Sequence, residues 1–333
     1  MEVNLNELKP RGIALPLVSV IVPTYNVEKY IGQCLDSIFG NGYPNIEVIC
    51  VDDRSTDSTV SIIEHYIKSG YDISLFKNDS DHNKFGGWGR NIGLDHAKGK
   101  YIHFCDSDDY VKRGLYMECV SRSESLDSDI CIFRHTGFHG ECEDKSIGNW
   151  HICFSDGTMK MDVFKATDMV DAFTVTGLQI WNKFYSFDFI KRNGLRFAEI
   201  RNTNDQFFGL SALMLADRIV ELDSKNKYYV YRYDTEHSVS KEKNHCGIGV
   251  GCVLESFKAV YGTYSSLKEI SLSLKRSFER YVLNETRFLS NLKRSDAITA
   301  KLVEELKDFV YSKCGIKSNE LDCIIKKLEE GRL

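Results

Sequence analysis

The chain has 333 residues, 42% hydrophobic and 27% charged, with a formal net charge of −5 and a pI near 6.0. That is enough chain for one large domain and a smaller one with a sizeable core, and the mild acidity argues against a general nucleic-acid binder. Eleven cysteines without a CxxC pair fit buried thiols in a reducing cytoplasm better than a disulfide framework or a zinc site. Met1–Pro16 mixes acids and bases without an apolar signal-peptide core, and no run reaches the roughly 18–20 apolar residues of a spanning helix.

Residues 1–16 read as a polar leader. Val18–Pro23 is short, β-branched and nearly all apolar, the pattern of a strand buried on both faces of a parallel sheet. It ends in the polar loop Pro23-Thr24-Tyr25-Asn26. A helix follows, with Tyr30, Ile31, Cys34, Leu35, Ile38 and Phe39 at helical spacing, closed by Gly40-Asn41-Gly42. The plan repeats. Ile46–Val51 is a second buried strand running into Asp52-Asp53-Arg54-Ser55-Thr56-Asp57, where Ser55 or Asp57 can cap the next helix. Ile73–Lys77 is a third strand. The stretch 83–89 reads as a glycine-rich loop and 90–98 as a helix closed by Gly99.

Tyr101–Tyr110 is the most telling stretch. A short strand runs into Asp106, Ser107, Asp108 and Asp109. Three acids in four positions raise one another's pKa and resist ionising together. A divalent cation with oxygen ligands removes that conflict. The strand–loop–helix repeat implies right-handed crossovers and a mostly parallel sheet, whose ligands bind beyond the strand C-terminal ends. Tyr25, Asp53 and the pair Asp106 and Asp108 all fall at such ends.

Beyond 110 the pattern is less regular. Leu115–Ser123 reads as helix and Asp129–Arg134 as strand. Phe138–Asp156 is polar and irregular. Gln179–Tyr185 reads as a strand carrying Trp181, Asn182 and Lys183. Phe187–Asn193 is a helical turn, and a helix opens at 202–206 and runs to about Ala216. Ile219–Leu222 and Lys227–Tyr233 read as strands. From about Gly251 only helical periodicity remains, first through about Leu289, then at 296–312 and 319–329. A domain boundary is expected at residues 242–252.

These residues, in this order, resemble family 2 glycosyltransferases with the GT-A fold. Val18-Ser-Val-Ile-Val-Pro-Thr-Tyr-Asn26 is similar to the family's first strand and loop. Val51-Asp-Asp-Arg-Ser-Thr-Asp-Ser-Thr59 resembles its nucleotide-binding loop, with Arg54 where a small residue is common. Gly89-Arg90-Asn91-Ile-Gly93 and Asp106-Ser-Asp-Asp109 resemble its Ala-Arg-Asn-x-Gly helix and DXD strand. Trp181-Asn-Lys-Phe-Tyr185, Leu195-Arg-Phe197 and Asp205-Gln-Phe-Phe208 resemble the acceptor half of bacterial surface-polysaccharide members. Two departures stand out. The usual Glu-Asp pair is Asn204-Asp205 here, and the tail motif Tyr231-Arg232…Ser238-Val-Ser240 has one residue more than usual.

The resemblance implies an α/β GT-A domain over 17–245, with a nucleotide-binding half at 17–110 and an acceptor half at 111–245. A C-terminal helical region over 246–333 follows. It further implies an inverting glycosyltransferase taking a nucleotide-activated sugar, UDP-linked by expectation, to a saccharide or lipid-linked saccharide acceptor in surface polysaccharide assembly. Asp108 would contact a Mn²⁺ or Mg²⁺ ion, and Asp106 the ribose or a metal-bound water. Asp53 would read the base, Tyr25 would flank it and Pro23 would offer its carbonyl. Arg90 would meet phosphate or pair with Asp53, with an ordinary salt bridge to the strand-end acids as the alternative. Asp205 would be the general base. His237 is a candidate third metal ligand. Trp181, Asn182 and Lys183 are candidates for the acceptor site, with core packing an equal alternative for Trp181.

The basic helix at 267–292, carrying Lys275, Arg276, Arg280, Arg287, Lys293 and Arg294, could rest on anionic lipid at the cytoplasmic face or simply show a solvated face. Two other readings stay open. One is a nucleotide-sugar-binding protein without turnover, favoured by the missing acid at Asn204. The other is a metal-dependent nucleotidyltransferase.

Overall fold

The computed structural model describes residues 15–139, 142–144, 152–158, 160–175, 178–200, 203–222, 226–233, 248–290 and 300–330. Apolar, β-branched runs bury on both faces. The strands β1 (Val18–Thr24) and β2 (Ile46–Asp52) are almost wholly enclosed, as a central parallel sheet requires. Between them α1 (Ile31–Phe39) buries Ile31, Cys34, Leu35 and Ile38. Then come α2 (Thr59–Lys68), β3 (Ile73–Lys77), α3 (Phe85–His96), β4 (Tyr101–Phe104), β5 (Tyr110–Val111), α4 (Leu115–Leu126) and β6 (Ile130–Ile132). The hairpin β7 (His135–His139) and β8 (Cys142–Asp144), the short α5 (Ala172–Val175), β9 (Lys183–Ser186), α6 (Phe187–Arg192), α7 (Asn204–Leu215), β10 (Ile219–Glu221) and β11 (Tyr229–Arg232) complete this part.

Seven strands form one sheet in the order β10-β6-β9-β4-β1-β2-β3, parallel except for β9. A four-stranded sheet, β5-β11-β7-β8, lies beside it. Because β5 directly follows the acidic knot and pairs antiparallel with β11, the small sheet is tied to the end of β4. The end of β7 and all of β8 fall in the stretch 138–156 read from sequence as irregular.

Helix α3 begins at Phe85 and so includes the glycine run expected as a loop. The reason is close approach. A Cβ at Gly93 would lie 2.3 Å from Ile21 Cγ2, and one at Gly87 would lie 2.3 Å from the Ala198 carbonyl oxygen. Each helical glycine costs about 1 kcal/mol relative to alanine. Tight packing against β1 and against the segment before α7 offsets that.

Beyond β11 come α8 (Ile248–Ser266), α9 (Leu272–Ser290), α10 (Ala300–Asp308), a π-helical turn Phe309–Lys313, and α11 (Asn319–Glu330). The single amphipathic run expected from about 257 to 289 is broken at 267–271. Val253, Phe257, Phe278, Tyr281 and Leu306 join Phe104, Phe197 and Phe208 in one continuous core. The apolar face of α9 is therefore packed against protein. Its Arg280 pairs with Asp171 and its Arg287 with Glu320, while Lys275 and Arg276 are exposed. Lys293 and Arg294 lie outside the described residues.

Candidate active site

The loops after β1 and β2 are laced together. Asp52 accepts from the Thr24 hydroxyl (3.2 Å) and from the Ser55 amide and hydroxyl (3.0 and 2.5 Å). Asn26 accepts from the Thr56 amide at 2.8 Å, and Asp57 accepts from the Glu28 and Thr59 amides, both at 3.0 Å. These bonds hold the Asp57 carboxyl below its ordinary range, against a partial desolvation that acts the other way. Pro23 is the penultimate residue of β1, and Tyr25 stands 45% exposed just beyond the strand.

Asp53, expected to read the base, is 7% exposed. Its carboxylate accepts from the Lys84 amide on both oxygens (2.9 Å each), from the Phe85 amide (2.7 Å) and from Asn78 Nδ2 (2.6 Å). An acid at a helix start satisfies orphan amides and complements the macrodipole. In this structure Asp53 anchors the start of α3, and a base contact there needs one of those donors to give way. Asn78 and the 84–85 amides are partners that the sequence did not reveal.

Four of the five non-glycine residues with positive φ among the described residues, Asn26, Arg54, Phe85 and Thr203, sit in the loops at this rim. Such conformations cost roughly 1–3 kcal/mol each and persist where surrounding bonds impose them. Arg54, at φ 72°, explains why a small residue suits that position.

The acidic knot divides its work by parity. Asp106 and Asp108 are half-buried, whereas Ser107 and Asp109 are buried. Asp109 accepts from the Tyr229 hydroxyl (2.7 Å) and the Arg232 amide (2.8 Å). Burial and then the charges of Asp108 and Asp106 push its carboxyl well above the ordinary range. Arg232 also donates to the Asp108 carbonyl at 2.9 Å and to Gln33. So β11 pins the knot from behind. Tyr229 was legible only as a member of the strand read at Lys227–Tyr233, and Arg232 only as part of the tail motif; neither signal pointed to Asp109.

Arg90 lies across the middle of the rim, 8% exposed. It donates to Asp106 Oδ1 at 2.7 Å and to Asn204 Oδ1 at 2.9 Å. Its guanidinium lies over the Phe197 ring at 5.5 Å, and its Nε is buried without a partner among the described residues. Next to it, Asn91 donates to the Phe197 carbonyl (3.0 Å) and accepts from the Phe197 amide (2.9 Å). Helix α3 thus ties the end of β4 to the start of α7, where Asp205 sits half-buried in the first turn. The Asp205 carboxylate accepts from the Gln206 amide at 3.1 Å. Gln206 in turn accepts from Tyr281 of α9 at 3.2 Å. Of the predicted site residues, then, the fold joins Arg90 and Asp106 directly and sets Asp205 one residue from their partner Asn204. Arg90 bonds Asp106 and Asn204 rather than Asp53.

Trp181, Asn182 and Lys183 are at most 6% exposed. Trp181 stacks on Tyr229 (4.4 Å) and Tyr231 (5.5 Å), and its carbonyl is 2.9 Å from His103 Nε2. The strand expected over 179–185 starts only at Lys183. Lys183 donates to Asn182 Oδ1 at 2.9 Å and to the Gln179 carbonyl. Burial pulls its ammonium down to about 7, with the Asp205 charge acting the other way. The three residues present no open face to an acceptor in this structure. Long, mixed-polarity side chains on a strand do not announce from sequence whether they bury.

The family model for glycosyl transferase family 2 matches residues 19–192, just over half of the chain. The chain belongs to this family. Among curated relatives, it is 31% identical over 228 residues to the poly(ribitol-phosphate) beta-N-acetylglucosaminyltransferase TarS of Staphylococcus aureus strain MW2, covering 67% of this chain and 37% of that one. It is 31% identical over 229 residues to a poly(ribitol-phosphate) beta-glucosyltransferase of Bacillus spizizenii, covering 66% and 33%. The chain therefore spans about a third of the length of these relatives. The crystal structure of S. aureus TarS 1–349 in complex with UDP-GlcNAc superposes with a TM-score of 0.72 at 22% identity, covering 95% of this chain and 91% of that one. The likeness in fold extends past the family match into the C-terminal helices.

A family 2 member needs a place for a donor diphosphate, and a hard cation fits what is present. Asp106 and Asp108 offer two carboxylates from one strand end, and no three His, Cys, Asp or Glu side chains converge among the described residues. Two carboxylates completed by phosphate oxygens and water suit Mg²⁺ or Mn²⁺. His237, the third ligand expected from sequence, lies outside the described residues, as do Ser238 and Ser240.

Proposed function

We propose that the chain is an inverting, metal-dependent glycosyltransferase that moves a sugar from a UDP-linked donor to a saccharide acceptor in surface-polymer assembly. The observation that carries this reading is the Arg90 bridge. It ties the acid of the donor strand, Asp106, to the residue preceding Asp205, 98 positions away in sequence. The family match and the printed activities of the poly(ribitol-phosphate) relatives support it. The UDP-GlcNAc bound by TarS supports a UDP-linked donor.

In this reading Tyr25 flanks the base, Pro23 offers its carbonyl, and Asp53 reads the base by exchanging one of its present donors. Asp106 and Asp108 would hold the cation, which when bound would offset charge on the departing diphosphate. Arg90 adds a second positive group there. Asp205 takes the acceptor hydroxyl proton as that oxygen attacks the anomeric carbon from the face opposite the diphosphate. The bond to the diphosphate breaks, UDP leaves and the configuration inverts. A positioned base contributes about 10²–10⁴-fold in rate.

No helix among the described residues is long and apolar enough to cross a membrane. A peripheral contact at the cytoplasmic face would use the corner where Ile270 and Leu272 are exposed next to Lys275 and Arg276, since the rest of α9 packs inward. The test is a nucleotide-sugar panel scored by thermal shift with and without Mn²⁺, because a ligand bound only by the folded state raises apparent stability. UDP-sugars are expected to shift melting, and slow Mn²⁺-dependent UDP release is expected to vanish in Asp108→Ala. No shift with any nucleotide sugar sinks the reading. Binding with no turnover would favour a protein that has lost catalysis, which the amide at Asn204 would explain. Pyrophosphate release from a nucleoside triphosphate would mark a nucleotidyltransferase instead.

A further inference from the structure

Asn204 stands where the resemblance leads one to expect glutamate, and its surroundings suit an amide. Its Oδ1 accepts from Arg90 at 2.9 Å, and its Nδ2 donates to the Ile200 carbonyl at 3.3 Å. An amide makes both bonds at once. A carboxylate has no N–H to give and would face the Ile200 oxygen with like charge. The residue is 7% exposed, and a Cβ on Gly87 would come within 3.1 Å of its Cβ. The amide is therefore held from both ends in a space that glycine keeps open.

The charge count is the second half of the argument. Arg90 has one anionic partner, Asp106, at 2.7 Å. Asp108 follows two positions later. A carboxylate at 204 would put a second anion on the same guanidinium and make the rim one charge more negative where a diphosphate has to enter. Asparagine supplies the same hydrogen bond without that charge.

We propose that Asn204 is a charge-setting positioning residue. It holds the start of α7, and with it Asp205, against Arg90 while leaving the guanidinium free of a second anion, so that Arg90 stays attractive to the donor diphosphate. This rests on the glycosyltransferase reading and assigns the departure at 204 to donor binding rather than to lost function. Two consequences separate. A charge placed at 204 acts on diphosphate affinity. A neutral truncation at 204 acts on turnover, through the placement of Asp205.

The experiment measures UDP binding by calorimetry with Mn²⁺ present, and turnover with whichever UDP-sugar the panel identifies. Asn204→Asp, nearly isosteric, is expected to weaken UDP binding about fivefold or more, the effect of roughly one added partly screened charge contact. Asn204→Ser is expected to keep UDP affinity within about twofold and to lose about tenfold in kcat, as loosened placement of a reacting group does. Should Asn204→Asp fold poorly, Asn204→Glu places the same charge on a longer side chain and Asn204→Gln its neutral counterpart, and UDP affinity should fall in the first relative to the second. Equal UDP affinity in wild type and Asn204→Asp overturns the proposal and leaves the glycosyltransferase reading standing. Equal weakening by Asn204→Asp and Asn204→Ser overturns it as well, since charge would then not be the cause. A wild-type protein that binds no UDP overturns both together.

Discussion

The two sides of the rim are built in different ways. On the side proposed for the donor, the loops after β1 and β2 close on themselves through carboxylates that accept backbone amides, and Asp53 alone takes bonds from Lys84, Phe85 and Asn78. On the side proposed for the acceptor, α7 and the segment before it reach the rim through few side chains: Arg90 on Asn204, Asn91 on Phe197, and Tyr281 on Gln206. Backbone-to-carboxylate bonds fix the path of these loops through many main-chain contacts at once. A joint made of single side chains can be adjusted one residue at a time, and the substitution at 204 falls in that joint.

The largest test of the contrast is Asp205→Asn. It should reduce kcat by about 10²–10⁴-fold with UDP affinity unchanged, and a large loss of UDP affinity would break the division between the two sides. Next comes pH. Burial holds His103, between the Tyr116 hydroxyl and the Trp181 carbonyl, neutral with its pKa down to about 4. The unfolded chain takes up its proton near the ordinary histidine value. Between about 6.5 and 4 the unfolded state therefore binds more protons, and stability falls as pH falls through that window. The loss approaches about 3 kcal/mol at pH 4, read by denaturant unfolding, and His103→Gln should flatten the curve.

A smaller effect is expected from Asp53→Ala. It strips the start of α3 of its acceptor and should destabilise by about 2 kcal/mol, seen as a lower urea midpoint. A change confined to UDP affinity, with stability intact, would instead make Asp53 a ligand contact only. The smallest is Arg54→Gly. Relieving a positive φ at an arginine should leave stability equal or raise it by about 0.5 kcal/mol, and a drop in melting temperature would show that Arg54 earns its strained backbone through its bond to the Ser80 carbonyl.

The donor half was legible because its signals are local. Each buried β-branched run, each turn and the acidic knot is a short continuous stretch of sequence, and the sheet order places the strand ends together by a general rule. The glycine run at 86–89 was misread as a loop. Intrinsic propensity disfavours glycine in a helix, and only the close approach of the Ala198 carbonyl to Gly87 and of the Pro23 and Val51 side chains to Gly89 makes it necessary there. Trp181, Asn182 and Lys183 carry side chains that suit a sugar surface or a core equally well, and burial decided between them.

Sequence alone determined the parallel sheet, the positions of the strand ends and the acids at them, because period-two and helical patterns are properties of short segments. Only the tertiary structure decided which acid does what. Asp109 turns inward to Tyr229 and Arg232, Asp106 meets Arg90, and Asp53 holds the start of α3. Those partners lie 16 to 123 residues from the acids they bind, so the roles depend on contacts that no local pattern encodes.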